Sequence, residues 1–144
     1  MNKEKVYLQL FHRECKGSPA IEMETVDNEW LNTLDYKNWL ASKSDILQDE
    51  VTDSLWIKTC TEGYITEVEF LPDGTLNEFK LFDRLPTTGH WALVEGVLSV
   101  SISKGDNRYQ FFVIGRRENS IYSAIEYKNN QLHSYLKLIP SRPK

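Results

Sequence analysis

Cysteine is scarce in this chain and is not arranged for chemistry. Cys15 and Cys60 show no CxxC or zinc-motif spacing, so two free thiols are expected rather than a disulfide framework. The histidines His12, His90 and His133 are scattered, and no metal site is expected. GxxxxGK[ST], GxGxxG and Gly-x-Ser-x-Gly are all missing. With them go the phosphate cradle, the dinucleotide fold and the serine elbow, so no cofactor is expected. Long apolar runs are also lacking. Val6–Phe11 is short and interrupted by Gln9, whereas a secretion signal needs ~7–15 apolar residues and a membrane span ~18. A cytoplasmic protein that does not contact a membrane is the expectation.

Basic residues are in the minority. Seventeen Lys and Arg face 21 Asp and Glu, for a net charge of −4. Such a balance argues against a nucleic-acid partner, because that binding rests on neutralising phosphates. The charge is uneven, however. Residues 104–144 hold eight bases and only Asp106, Glu118 and Glu126 as acids. Lys104, Arg108, Arg116, Arg117 and Lys128, with Tyr122 and Phe112, would form a nucleic-acid platform if they shared a surface.

What is present is apolar material in a regular pattern. Leu, Ile, Val and Phe supply 39 of the 144 residues, enough for one packed core. The spacing predicts a single domain over 1–144. Residues 1–55 would be a strand and helical segment, 56–139 an antiparallel sheet and 140–144 a tail. In the first part, Lys5–Phe11 reads as a strand and Ile21–Val26 as a second. Asp27 would cap a helix carrying Trp30, Leu31 and Leu34. Tyr36, Trp39 and Leu40 would follow on another, and Ser44 or Asp45 would cap a turn through Ile46 and Leu47.

From Tyr64 onward, alternating segments are broken by turn dipeptides. Seven strands are expected: Tyr64–Leu71, Leu76–Phe82, His90–Val94, Val97–Ser103, Arg108–Ile114, Ile121–Tyr127 and Leu132–Ile139. A Glu95-Gly96 loop pairs Trp91 with Val100. A Gly105-Asp106 loop pairs Val100 with Phe111. An Asn129-Asn130 loop pairs Tyr127 with Leu132, Ile125 with Ser134 and Ile121 with Leu138. The apolar face would carry Trp91, Leu93, Leu98, Val100, Ile102, Tyr109, Phe111, Val113, Ile121, Ile125, Leu136 and Leu138. Pro72-Asp73-Gly74 favours a type I turn with Gly74 left-handed. The fold class is therefore mainly β, an up-and-down meander curving toward a barrel, with a helical N-terminal segment packed on it.

The stretch from Thr88 to Val100, with Gly89-His90-Trp91 near its start, follows Phe70-Leu71-Pro72-Asp73-Gly74. Together they resemble the sheet segments of small lipocalin-like (calycin-type) domains, over roughly residues 64–139. The resemblance implies a barrel or strongly curved sheet, often with an internal ligand. In lipocalins the Gly-x-Trp opens the first strand, whereas here it lies mid-chain.

The other sheet face would hold the site. His90, Gln110, Phe112, Tyr122, Tyr135 and Lys137 are the candidate ligand-binding residues, polar and aromatic together. Glu126 would lie opposite His133, the arrangement of a base and its orienter, so these two are the candidate catalytic pair. Trp30, Trp39, Trp56, Trp91 and Tyr36 would either plug the sheet or line a pocket. The leading reading is a binding or interaction module for a small amphipathic ligand or a protein partner. The alternatives are a small enzyme using Glu126 and His133, and nucleic-acid binding through the basic C-terminal part.

Overall fold

The computed structural model describes residues 1–80 and 86–144. Eight of its strands form one closed antiparallel barrel: β2 (Ser54–Cys60), β3 (Ile65–Phe70), β4 (Thr75–Lys80), β5 (Thr87–Val94), β6 (Val97–Lys104), β7 (Asn107–Arg116), β8 (Tyr122–Lys128) and β9 (Gln131–Pro143). Each strand pairs with its sequence neighbour, and β2 pairs with β9 to close the ring. A closed ring has no open edge along which another chain could add. The final two residues of the expected strand Leu76–Phe82 lie outside the described residues.

Turn chemistry sets the register. Glu95 and Gly96 both have positive φ, as a two-residue type I′ hairpin requires, and Trp91 pairs with Val100. Val100 in turn pairs with Phe111. At Pro72-Asp73-Gly74, Gly74 is left-handed at φ 89 and the Asp73 carboxylate accepts from Thr75 N at 2.9 Å. Two of the three hairpin registers expected after Gly89 thus hold, and so does the left-handed Gly74.

The Asn129-Asn130 hairpin departs from expectation. Tyr127 does pair with Leu132, but a β-bulge follows, and Ile125 pairs with Tyr135 instead of Ser134. Tyr122, not Ile121, lies opposite Leu138. The extra residue is absorbed beside His133, which turns β8 over. Tyr122, Ala124 and Glu126 therefore face the lumen opposite Val113 and Phe111, while Ile125 faces outward. Ile121 is exposed.

The lumen is filled by side chains. Trp56, Phe70, Trp91, Phe111 and Tyr122 are all less than a tenth exposed and pack with Val68, Leu76, Leu98, Val100, Leu136 and Leu138. One mouth is stoppered by α3 (Gln48–Thr52), which inserts Val51 and is joined there by Ile46. Trp56 Nε1 donates to Val51 O at 3.0 Å, so the stopper is hydrogen-bonded to the wall.

A second core lies outside the barrel. The expected strand at Lys5–Phe11 is a helix, α1 (Lys3–Cys15), capped by the Asn2 side chain accepting from Lys5 N at 3.2 Å. Val6 through Phe11 are all buried. One side of α1 packs on Val97, Ile114, Ile125 and Tyr135 of the barrel wall. The other is covered by the chain that follows. A helix covered on both sides shows no single apolar stripe, which is why its pattern imitated a strand. Ile21–Val26 is likewise no strand, containing only a 3-10 turn at Met23–Thr25.

Asp27 does cap, but it caps a 3-10 turn, Asn28–Asn32, accepting from Glu29 N at 2.8 Å. The helix α2 (Leu34–Ala41) is capped by Thr33. Its Tyr36 and Trp39 meet Phe11 edge-on, with ring centroids 5.3 and 5.7 Å away. Trp30 and Trp39 thus belong to the outer core and Trp56 and Trp91 to the lumen.

Beyond α2 the chain forms β1 (Lys43–Ser44), which pairs with the end of β7. Neither Ser44 nor Asp45 caps a turn. Leu47 N donates instead to the Glu50 carboxylate at 2.8 Å at the start of α3. The expected tail 140–144 is instead, as far as Pro143, the end of β9, where Pro143 pairs with Ser54.

Candidate functional site

Three parts of the fold converge on the outside of the barrel around a cleft of about 600 Å3. The C-terminal turn of α1 supplies Arg13, Glu14 and Cys15. The end of α2 and β1 supply Trp39, Ser42 and Lys43. The barrel wall supplies Arg116, Tyr135 and Lys137. Lys43 reaches this position because β1 lies against Gly115. A Cβ at Gly115 would fall 2.7 Å from the Ser44 carbonyl oxygen, so only glycine admits the strand this closely.

Glu14 organises the cleft. Trp39 Nε1 and Lys43 Nζ each donate to its Oε1 at 2.9 Å, and the Tyr135 hydroxyl donates to Oε2 at 2.9 Å. Burial works to raise this carboxyl, but the Lys43 ammonium and the donated bonds outweigh it and hold Glu14 below the usual range. Burial, then the Glu14 charge, push the Tyr135 hydroxyl upward. Lys43 is 5% exposed. Its charge is matched by Glu14, as a buried ammonium requires.

The remaining cations are not matched. Among the described residues, Arg13, Arg116 and Lys137 are in no ion pair. Arg13 stacks over the Tyr135 ring at 4.8 Å. Arg116 Nε is buried without a hydrogen-bond partner. With Glu14 already neutralised by Lys43, the cleft carries an excess of three positive charges on a protein of net −4.

A second cluster lies inside the barrel, at the end away from α3. Glu78, 2% exposed, is flanked by Lys58 Nζ at 2.5 Å and Lys104 Nζ at 2.7 Å, and accepts from Thr66 Oγ1 at 2.9 Å. Lys58 also sits over the Phe111 ring at 5.0 Å. Glu126 shares this space, with His133 Nε2 3.9 Å from its Oε1. Burial acts on both carboxyls, with opposite outcomes. The two lysines pull Glu78 below its ordinary value. Burial dominates at Glu126 and raises it, despite Lys58 and His133.

Linkage turns these directions into stability. A raised folded-state pKa stabilises fully below the unfolded value of about 4.3, and that contribution is lost as pH rises through the folded value. A lowered one stabilises above the unfolded value and is lost as pH falls through the folded value. Glu126→Gln should therefore raise the melting temperature at pH 7 and lose that advantage by about pH 4. Glu78→Gln should lower it at pH 7, because Lys58 and Lys104 would keep their buried charge without a counter-ion. Thermal melts of both variants between pH 4 and 8 check this. The same sign for both would show that the carboxyls share one environment.

The structure disperses most of the residues expected to form one polar face. His90 is exposed and Gln110 half-buried on the outer wall. Phe112 is partly covered by the outer core. Tyr122 is in the lumen, donating from its hydroxyl to Glu50 Oε2 at 2.8 Å. Only Tyr135 and Lys137 meet, in the cleft. Glu126 and His133 are close, but on the luminal side, and Ser134 Oγ is engaged with the Tyr135 carbonyl at 3.3 Å.

The basic platform assembles only in part. Lys104 and Lys128 both lie over the Tyr109 ring, at 5.3 and 5.7 Å. However, Lys104 is paired with Glu78, Arg117 Nε donates to Ala41 O at 3.1 Å, and Arg116 faces the cleft. Cys15 and Cys60 are free and line the same cleft. Among the described residues, no cluster of three or more His, Cys, Asp and Glu is placed to hold a metal, and no helix is long and apolar enough to cross a membrane. No family model, curated protein or solved structure matches the chain.

Sequence reasoning missed Arg13, Glu14 and Lys43, which lie in the segment whose structure it misread. The signal that pointed toward the cleft was the surplus of bases after residue 104, which supplies Arg116 and Lys137.

Proposed function

We propose that this protein is a binding module, and that it holds a small ligand in the cleft beside the barrel rather than within it. The observation that carries the reading is the contrast between the two spaces. The lumen is occupied by Trp56, Phe70, Trp91, Phe111 and Tyr122, while the cleft offers about 600 Å3, within the ~300–1,000 Å3 range of small-molecule sites. Kinship with lipocalin-like domains would extend to the eight-stranded antiparallel barrel. It would not extend to a ligand in the lumen.

Binding is favoured over catalysis by the chemistry of the polar groups. Glu14 is held ionised and fully engaged by three donors, so it serves as a scaffold rather than as a base. Glu126 and His133 have no nucleophile aligned with them among the described residues.

The four tryptophans report where a ligand sits. The Trp39 indole borders the cleft, and those of Trp56 and Trp91 lie in the lumen. A small-molecule library screened by 15N-resolved indole signals should yield binders that move Trp39 and leave Trp56 and Trp91 in place. Binders that move Trp56 and Trp91 alone would return the site to the lumen and overturn the reading.

A further inference from the structure

We infer that the ligand of this cleft is a compact, multiply charged anion, a phosphate-bearing or polycarboxylate small molecule. The inference rests on the cleft being the binding site and adds the chemistry of what it holds. Its basis is the charge left over once internal pairs are satisfied. Lys43 is neutralised by Glu14 at 2.9 Å. Arg13, Arg116 and Lys137 line the same cleft from three different elements, and among the described residues none has a carboxylate partner.

Three cations converging on one concavity repel one another, and low-dielectric walls strengthen that repulsion. Elsewhere the chain pairs its inward-facing lysines, as Lys58 and Lys104 are paired with Glu78. Nor does it lack acids, having 21 against 17 bases. The cleft is thus a place where an acidic protein leaves positive charge uncompensated.

Geometry narrows the anion. Arg13 sits over the Tyr135 ring with its Cζ 4.8 Å from the centroid, a contact that helps order its guanidinium before any ligand arrives. Arg116 has a buried Nε with no acceptor, and a guanidinium fork matches the paired oxygens of phosphate or carboxylate. A monocarboxylate would satisfy one of the three cations and leave two facing each other. A di- or trianion satisfies them together. The Ser42 hydroxyl borders the same space, with its proton already donated to the Trp39 carbonyl at 2.6 Å.

The test uses the full chain and the Trp39 indole signal, at constant ionic strength set with sodium chloride. Pyrophosphate, citrate and acetate are titrated separately. Saturable movement of Trp39 by pyrophosphate or citrate, with acetate much weaker, is the expected result. Pyrophosphate binding more tightly assigns phosphate as the source, and citrate binding more tightly assigns polycarboxylate.

Arg116→Gln and Lys137→Gln should each weaken the better anion about tenfold, the scale of one charged hydrogen bond. Lys128→Gln, at the far hairpin, should not change it. Lys137 is exposed, so its variant reports even if Arg116→Gln misfolds. Equal affinity in Lys137→Gln and the native chain, or equal response to acetate, overturns the inference. Neutral library members that move Trp39 where no anion does would sink it while leaving the cleft as the binding site. If neither class moves Trp39, both readings fall.

Discussion

A chain beginning at Ser54 is expected to aggregate, or to bind ANS strongly with no cooperative melt. The barrel strands are all retained, yet two kinds of cover are lost. Val97, Ile114 and Ile125 on the outer wall are buried by α1 and its neighbours, and their removal opens an apolar patch of the kind that drives association. Ile46 and Val51 are part of the luminal core, so one mouth also loses its stopper. Each fully buried aliphatic side chain contributes roughly 1.5–3 kcal/mol. The group together rivals the ~5–15 kcal/mol by which a whole domain is stable. Size-exclusion chromatography, ANS fluorescence and thermal melts of the truncated and full chains measure this. A monomeric fragment with a sharp transition and no ANS signal would show that the barrel stands alone and the N-terminal segment is an accessory.

Trp91→Ala should destabilise the protein by ~3–5 kcal/mol. Trp91 is 8% exposed and faces the lumen. Its ring meets Phe70 edge-on at 6.0 Å, and its Nε1 donates to the Leu71 carbonyl at 2.9 Å. Truncation leaves a cavity lined by rings that cannot close up, and it strips a carbonyl of its donor. For a domain of this size the melting temperature should fall by about 10 °C. Leu47→Ala, at a side chain 68% exposed, should move it by no more than a degree or two. A Trp91→Ala shift as small as the Leu47→Ala shift would mean that the strand faces outward.

The barrel was legible in the sequence because strands are read through two independent signals, alternation and turn chemistry. Both agreed from Val97 through Val113, where Glu95-Gly96 and Gly105-Asp106 fixed the pairs. One signal was missing at each failure. β2 has no turn dipeptide ahead of it and follows directly on α3, so Trp56 and Ile57 went unread as a strand. At His133 the alternation breaks by one residue. A bulge leaves no mark in single-residue propensity, so β8 was assigned the wrong face.

The N-terminal segment failed for a different reason. Helix α1 is buried on opposite sides by the barrel and by α2 with the preceding turns. No one-sided stripe exists to be read. The cleft inherits that blindness. Lys43 and Arg116 are 73 positions apart in the chain and become neighbours only through the β1–β7 pairing. Of the cleft's cations, only Arg116 and Lys137 are singled out by the sequence, each for a surface other than the cleft it lines.

The seam between β2 and β9 has a kinetic consequence. The hairpins from β5 through β9 join residues a few positions apart, whereas the seam joins Trp56 to Pro140 and Cys60 to Leu136. Contacts so distant along the chain carry the loop-closure entropy of everything between them. High contact order slows folding, and this pairing has the longest loop to close. Without the seam the meander would be an open ribbon with two unpaired edges, β2 and β9. Any chain in which the seam is unmade therefore has strand edges to offer a neighbour, and closing it removes them.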